Sequence, residues 1–140
     1  MADVKIKKRE IGATARLGRL GHPQLETPTG GTLGVVTGAS EPGFNPIDLL
    51  YSSLAACLVL SARIAASRLG VLDRFESVSA QVAGEKSDGE PARIVKFDMR
   101  LRIDGDFDAE TRSAIAHQAE EICTVSNTLR GDAAFHLSVD

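Results

Sequence analysis

The longest helical pattern in the chain spans residues 45–68 and reads NPIDLLYSSLAACLVLSARIAASR. Asn45 is a good N-cap, Pro46 suits the first helical position, and Asp48 lies where its carboxylate reaches back to the cap. The side chains that follow are apolar or small almost all round, until Gly70 ends the pattern. We therefore predict a long, buried central helix, whose small residues let another helix, such as that of a second subunit, approach closely.

Beyond this helix, the chain carries two strands, a helix and a final strand. Residues 76–83 and 93–103 alternate between apolar and polar side chains as strands do, and a polar loop over 84–91 joins them. Asp108 caps a second helix that runs to about residue 122. Residues 134–139 give the last strand pattern.

The part of the chain before the central helix predicts an antiparallel meander. Short strand patterns fall at residues 5–8, 13–20 and 32–37, with turns between them. The whole order is therefore β-β-β-α-β-β-α-β, which has few crossover units and predicts the α+β class. At 140 residues, we expect a single domain over positions 1–140.

Composition narrows the class of protein further. A content of 43% hydrophobic and 25% charged residues is that of a folded globular chain. With a net charge of −3, the chain lacks the basic surface that nucleic-acid binding needs, so we expect no such partner. The longest uncharged apolar stretch, residues 49–62, is shorter than the ~20 residues of a membrane span, and no secretory signal is visible. We expect a cytoplasmic protein that crosses no membrane.

Two cysteines, Cys57 and Cys123, carry what chemistry the sequence shows. They form no C-x-x-C pair, and the three histidines stand apart from one another, so we expect neither a metal nor a cofactor. An isolated cysteine is most often a buried, space-filling thiol. From the residues alone, a structural pair of buried cysteines therefore stays open beside a catalytic pair.

The surroundings of both cysteines resemble one family. Residues 45–57, NPIDLLYSSLAAC, resemble the N-P-E-x-L-x-x-A-x-x-A-A-C signature of the OsmC/Ohr family, the osmotically inducible and organic hydroperoxide resistance proteins. Residues 121–129, EICTVSNTL, look like that family's C-P-V-S-x-x-L segment. The resemblance implies an OsmC-like fold, with antiparallel strands flanking the central helix, and an intertwined homodimer with two active sites at the subunit interface.

The same resemblance implies a thiol-dependent peroxidase that reduces organic hydroperoxides. Cys57 attacks the peroxide and becomes a sulfenic acid, Cys123 resolves it as a disulfide, and an external dithiol of the lipoyl or thioredoxin type restores both thiols. An apolar wall of Leu50, Leu54 and Leu58 suits an organic hydroperoxide better than hydrogen peroxide.

Both thiols have charges to consider. Cys57 lies too far inside its helix for the helix dipole to stabilise a thiolate, so we expect a nearby cation to do so. Cys123 follows Glu120 and Glu121, whose negative charge tends to keep its thiol protonated. Cys57 is therefore the better first attacker.

In the family, the cation is an arginine from the N-terminal strands, which points to Arg16 or Arg19. In a continuous strand these two side chains lie on opposite faces, so only one of them serves. The Gly18-Arg19 pair resembles the family's local sequence, which favours Arg19. Two solvated surface arginines are the alternative.

One family residue is missing, because Ile47 stands where the signature has glutamate. Asp48 is the adjacent carboxylate and a candidate substitute, but one residue along a helix turns a side chain by about 100°. Capping the helix is the other role open to Asp48. The missing glutamate supports an alternative function, that of a divergent small-molecule-binding or thiol-sensing dimer without efficient peroxidase turnover.

Overall fold

The computed structural model of this protein describes residues 8–140, which form two compact units divided between Leu49 and Leu50. The first strand pattern, at residues 5–8, lies almost wholly outside the described residues. The prediction of one domain over residues 1–140 stays a prediction. Each unit is described below by itself.

The first unit contains a small antiparallel sheet of three strands: β1 (Thr14–Arg16), β2 (Gln24–Glu26) and β3 (Thr32–Gly34). Ala15 pairs with Leu25, which pairs in turn with Leu33. The predicted strands at 13–20 and 32–37 were too long, and β2 was not predicted. All three strands have three residues and lie mostly in solvent, so they lack the alternation by which strands are recognised.

Helix α1 spans Pro46–Arg68, which confirms the prediction. The Asp48 N–H donates to Asn45 Oδ1 at 2.8 Å, and Asp48 Oδ2 accepts from the Asn45 N–H at 3.0 Å, which completes a reciprocal cap. The far end closes with a Schellman motif: Gly70 has a φ of 74°, and the Val71 N–H reaches the Ala66 carbonyl at 2.9 Å.

By length and composition alone, α1 is able to cross a membrane, and a third of its apolar window is buried within the protein. A core helix of a soluble protein passes the same test. In the second unit, Leu54, Leu58 and Ala62 are buried against the hairpin and helices described next, so α1 serves as such a core helix.

The second unit places a long hairpin against α1. Strands β4 (Phe75–Lys86) and β5 (Ile94–Gly105) pair antiparallel, with Val82 opposite Met99. Both strands extend beyond the predicted 76–83 and 93–103, so the connecting loop is shorter than expected. Position 84, inside β4, requires a glycine, because a Cβ there would come within 2.9 Å of the Tyr51 hydroxyl on α1.

Two helices end the second unit: α2 (Ala109–Ile122), capped by Asp108 as predicted, and α3 (Thr124–Arg130), which was not predicted. Residues 131–140 form no strand in the described chain, so the predicted strand at 134–139 is absent and the order is β-β-β-α-β-β-α-α. Phe135 and Leu137 are each 94% exposed. An extended segment becomes a strand only through a pairing partner, and residues 8–130 offer it none. The α+β class itself is confirmed.

The core of the second unit consists of two apolar clusters along α1. One joins the C-terminal half of α1 to β5 and α2, through Ala62, Ala65, Ala66, Val71, Ile103, Ile115 and Ala119. The other contains Leu54, Leu58 and Cys123, with Cys57 and the inward side chains of the hairpin packed against them. This second cluster brings both cysteines into one place.

Candidate active site

The two cysteines are remote in sequence but share one apolar cluster. Cys57 lies in the middle of α1 and is half-buried, whereas Cys123 lies between α2 and α3 and is fully buried. Both are free thiols. Leu54 and Leu58, on the same face of α1, pack around them.

Cys123 is fixed by its position at a helix junction. It is the C-cap of α2, where its N–H donates to the Ala119 carbonyl at 3.0 Å, and also the N-cap of α3. Its sulfur accepts a hydrogen bond from the Ser126 N–H at 3.4 Å, in the way a serine oxygen caps a helix. The backbone therefore holds this thiol in place on both sides.

The pKa of Cys57 is lowered from the ordinary value of a thiol. Burial raises this pKa, but hydrogen bonds to the sulfur outweigh burial. The donors are the Val125 N–H, the Cys123 thiol, the Ser61 hydroxyl and the Thr124 N–H. Cys57 is therefore the thiol that ionises more readily.

The pKa of Cys123 is shifted in the opposite direction. Burial raises it most, and its hydrogen bond to Cys57 and the negative charge of the Cys57 thiolate raise it further, against the lowering effect of the Ser126 N–H. A thiol that donates to a thiolate is stabilised in its protonated form. When the pair loses one proton, the negative charge therefore lies on Cys57.

Two expectations concerned charge near the thiols. Within the second unit, uncharged donors lower the pKa of Cys57, and the expected cation beside it stays a prediction. The expected effect of Glu120 and Glu121 on Cys123 had the right direction but the wrong cause, since burial is the main cause. The Glu120 carboxylate is instead paired with the guanidinium of Arg130.

The remaining charged candidates lie in the first unit. Arg16, in β1, forms an exposed ion pair with Glu26 at 3.3 Å. Arg19 lies in a bend beyond the end of β1, so the argument that the two arginines point to opposite faces of one strand was wrong. Asp48 is occupied in the cap of α1. The assignment of these residues to Cys57 stays a prediction.

An apolar pocket of about 190 Å³ lies beside the thiol cluster. It is lined by Leu54, Phe97, Met99, Ser126, Leu129 and Arg130. Of the predicted apolar wall, Leu54 lines this pocket, Leu58 is buried in the cluster and borders a neighbouring depression, and Leu50 is half-buried outside both.

Five lining residues of this pocket, all except Leu54, were not singled out as site residues from the sequence. The alternation along β5 did place Phe97 and Met99 on its inward face, which is the signal that could have found them. Ser126, Leu129 and Arg130 come from α3, which was not predicted. Within residues 8–140, no three metal-ligating side chains cluster.

The site is thus a pair of unequal, hydrogen-bonded thiols at the centre of an α+β fold. A family model described as OsmC-like protein matches residues 38–138. The chain belongs to the OsmC-like family.

Solved structures share this fold at low sequence identity. An organic hydroperoxide resistance protein OsmC from Legionella pneumophila is 24% identical, with a TM-score of 0.69 over 91% of this chain and 93% of that one. The OsmC-like protein of Mycoplasma pneumoniae is 18% identical, with a TM-score of 0.74 over 90% of each chain. The organic hydroperoxide resistance protein OhrB of Bacillus subtilis is 23% identical, with a TM-score of 0.65 over 86% and 90%. No curated protein sequence matches significantly.

Proposed function

We propose that the protein is a cysteine-based peroxidase that reduces organic hydroperoxides. The observation that carries this proposal is that Cys57 and Cys123, remote in sequence, pack together in one apolar cluster. Their thiol pKa values are shifted in opposite directions, down for Cys57 and up for Cys123. Peroxide reduction through a disulfide needs one thiol that ionises readily to attack first, and a second cysteine close by whose sulfur then displaces the hydroxyl of the sulfenic acid. Structural neighbours named as organic hydroperoxide resistance proteins support the same substrate class.

The first step consumes the peroxide. The Cys57 thiolate attacks the terminal oxygen of the O–O bond, so that an S–O bond forms while the O–O bond breaks. Sulfur loses two electrons and becomes a sulfenic acid, and the leaving alkoxide takes up the proton that Cys57 released on ionising. One hydroperoxide and one thiol thus give one alcohol and one sulfenic acid.

The second step protects the sulfenic acid. Cys123 attacks the Cys57 sulfur, an S–S bond forms, and water leaves with the hydroxyl of the sulfenic acid and the Cys123 proton. An external dithiol, of the lipoyl or thioredoxin type, then reduces the disulfide and becomes oxidised itself. A cytoplasmic location fits this cycle, because thiols are kept reduced there.

The pocket beside the cluster is the proposed site for the organic part of the substrate. Its apolar walls are Leu54, Phe97, Met99 and Leu129. Burying an alkyl or aryl group against them is favourable, and hydrogen peroxide has no such group. Leu50 and Leu58, which the sequence placed with Leu54, have at most a supporting role.

We further propose that the working form is an intertwined homodimer, with Arg19 or Arg16 completing each site. Large apolar side chains on the second unit support a partner surface: Leu60 and Ile64 lie one helical turn apart on α1 and are 52% and 43% exposed. An arginine beside Cys57 would place a positive charge next to a thiolate that uncharged donors already stabilise.

The test is a stopped-flow reaction of the reduced protein with cumene hydroperoxide. We expect rapid loss of one thiol, followed by an intramolecular disulfide, and neither in Cys57→Ser. Ser67→Ala, an exposed serine on the same helix, is the matched control and should react normally. A reaction no faster than that of free cysteine would contradict the proposal.

Ile47 at the glutamate position favours a second candidate, a thiol-sensing dimer that is oxidised once without efficient turnover. The two are separated by adding a dithiol such as dihydrolipoamide with excess peroxide. A peroxidase consumes many equivalents of peroxide per protein, whereas a sensor consumes about one.

A further inference from the structure

We propose that Arg130 is a positioning residue for Cys123, which holds the resolving sulfur in place by bridging Ser126 and Glu120. The role of Arg130 in catalysis rests on the two-thiol cycle proposed above, whereas its contacts with Ser126 and Glu120 are independent of that cycle. The residue lies in α3, at the rim of the apolar pocket.

Three contacts link Arg130 to Glu120, to Ser126 and, through Ser126, to the Cys123 sulfur. Its Nε donates to Ser126 Oγ at 3.2 Å, and a terminal guanidinium nitrogen pairs with the Glu120 carboxylate. The backbone N–H of the same Ser126 donates to Cys123 Sγ at 3.4 Å. Ser126 is only 3% exposed, so its hydroxyl depends on a protein partner.

These contacts span the junction at which Cys123 lies. Helix α2 ends at Ile122 and α3 begins at Thr124, so Cys123 is the one residue between the two helices. A helix of seven residues is unstable by itself and needs tertiary contacts to keep its place. Arg130, near its far end, ties it back to α2 through Glu120.

A movement of α3 would affect the pair of thiols directly. The N–H groups of Thr124 and Val125, which donate to Cys57, belong to the first turn of α3. A second contact, from Asn127 Nδ2 to the Glu121 carbonyl at 3.0 Å, crosses the same junction. The loss of Arg130 therefore loosens α3 without freeing it, and the sulfurs meet less often in the geometry for condensation.

Arginine is suited to this bridge because its rigid planar fork presents the Nε–H and the terminal N–H groups at separate, fixed positions, whereas lysine has one compact ammonium group. The side chains of Arg130 and Glu120 are 61% and 35% exposed, so their ion pair contributes little to the free energy of folding. An Arg130→Ala variant should therefore fold.

The experiment compares Arg130→Ala, Arg130→Lys and the control Arg102→Ala with the unaltered protein. Arg102 pairs with Asp104 on the outer face of the hairpin, away from the thiols. Stopped flow with cumene hydroperoxide measures oxidation of Cys57 and disulfide formation as separate steps. A glutathione redox buffer measures the thiol–disulfide equilibrium without peroxide.

For Arg130→Ala, we expect disulfide formation to slow by about tenfold and oxidation of Cys57 by only about threefold, because Thr124 and Val125 lower the pKa of Cys57 and move with α3. The thiol–disulfide equilibrium should move about tenfold toward the thiols, which is about 30 mV for a two-electron couple. Arg130→Lys should behave like the alanine variant, and Arg102→Ala like the unaltered protein.

Unaltered disulfide formation and equilibrium in Arg130→Ala would overturn the proposal, and so would an equal slowing of both steps. Full recovery in Arg130→Lys would show that charge alone suffices and would overturn the bridge. If the unaltered protein fails to react with peroxide, the proposed function fails, and the glutathione equilibrium still tests the positioning role.

Discussion

The middle of α1 and the junction between α2 and α3 each hold one cysteine, and they treat it differently. Around Cys57, hydrogen-bond donors lower the thiol pKa by more than burial raises it. At the junction, Cys123 is fully buried and donates to its neighbour, so its pKa is raised. Two identical side chains thus acquire different chemistry from their surroundings alone.

Within the second unit, the groups that lower the pKa of Cys57 are uncharged donors. They are two backbone N–H groups of α3, the Cys123 thiol and one serine hydroxyl of α1, and each favours the ionised form. The junction thus gives Cys57 its donors and keeps its own thiol protonated. The following predictions test that division of roles, beginning with the largest effect.

Cys123→Ser should abolish the disulfide while Cys57 still oxidises. The serine hydroxyl keeps a hydrogen-bond donor beside Cys57 but has no sulfur with which to condense. Mass spectrometry after peroxide treatment should find Cys57 as a sulfenic acid or in higher oxidation states. Cys123→Ala, which keeps no donor, should in addition slow the oxidation. A Cys57 that stays unoxidised in Cys123→Ser would contradict the assigned roles.

The two thiols should differ in their alkylation rates at neutral pH. The thiolate is the reactive form, and Cys57 is both more ionised and more accessible, so iodoacetamide should modify it at least roughly tenfold faster. Its rate should fall only as the pH drops through its lowered pKa, below the range where an ordinary thiol loses reactivity. Peptide mapping separates the two sites. In denaturant they should react alike, and equal rates in the folded protein would remove the contrast.

Ser61→Ala should make the Cys57 thiol harder to ionise. It removes one of the donors to the sulfur, so the Cys57 pKa should rise and alkylation at neutral pH should slow by roughly threefold, from about 0.5–1 kcal/mol of hydrogen-bond energy. The pH profile of alkylation measures the shift. Ser67→Ala is again the control, and an unchanged profile in Ser61→Ala would remove this serine from the site.

Asp48→Ala should affect the folding of α1 and little else. It removes half of the reciprocal cap with Asn45, which costs about 1 kcal/mol of unfolding free energy. Denaturant melts measure this loss, and Asp48→Asn, which keeps an acceptor, should lose less. A loss of peroxide reactivity without a loss of stability would instead assign Asp48 to the chemistry.

Local signals in the sequence predicted the largest elements well. The cap at Asn45 and the stop at Gly70 bounded α1 correctly, and alternation identified β4 and β5. The short strands of the first unit and helix α3 were missed or misplaced, because each is too short for a periodic pattern. The segment 134–139 has a strand's pattern and no strand, since pairing requires a partner that the pattern does not contain.

The sequence by itself singled out the two candidate residues for the chemistry, Cys57 and Cys123, each within a segment that resembles the family's. Only the tertiary structure decided what distinguishes them. Two of the donors that lower the Cys57 pKa lie in the first turn of α3, which no sequence pattern predicted. The physical reason is that a pKa depends on the solvent and the donors around an atom, and these come from parts of the chain far away in sequence.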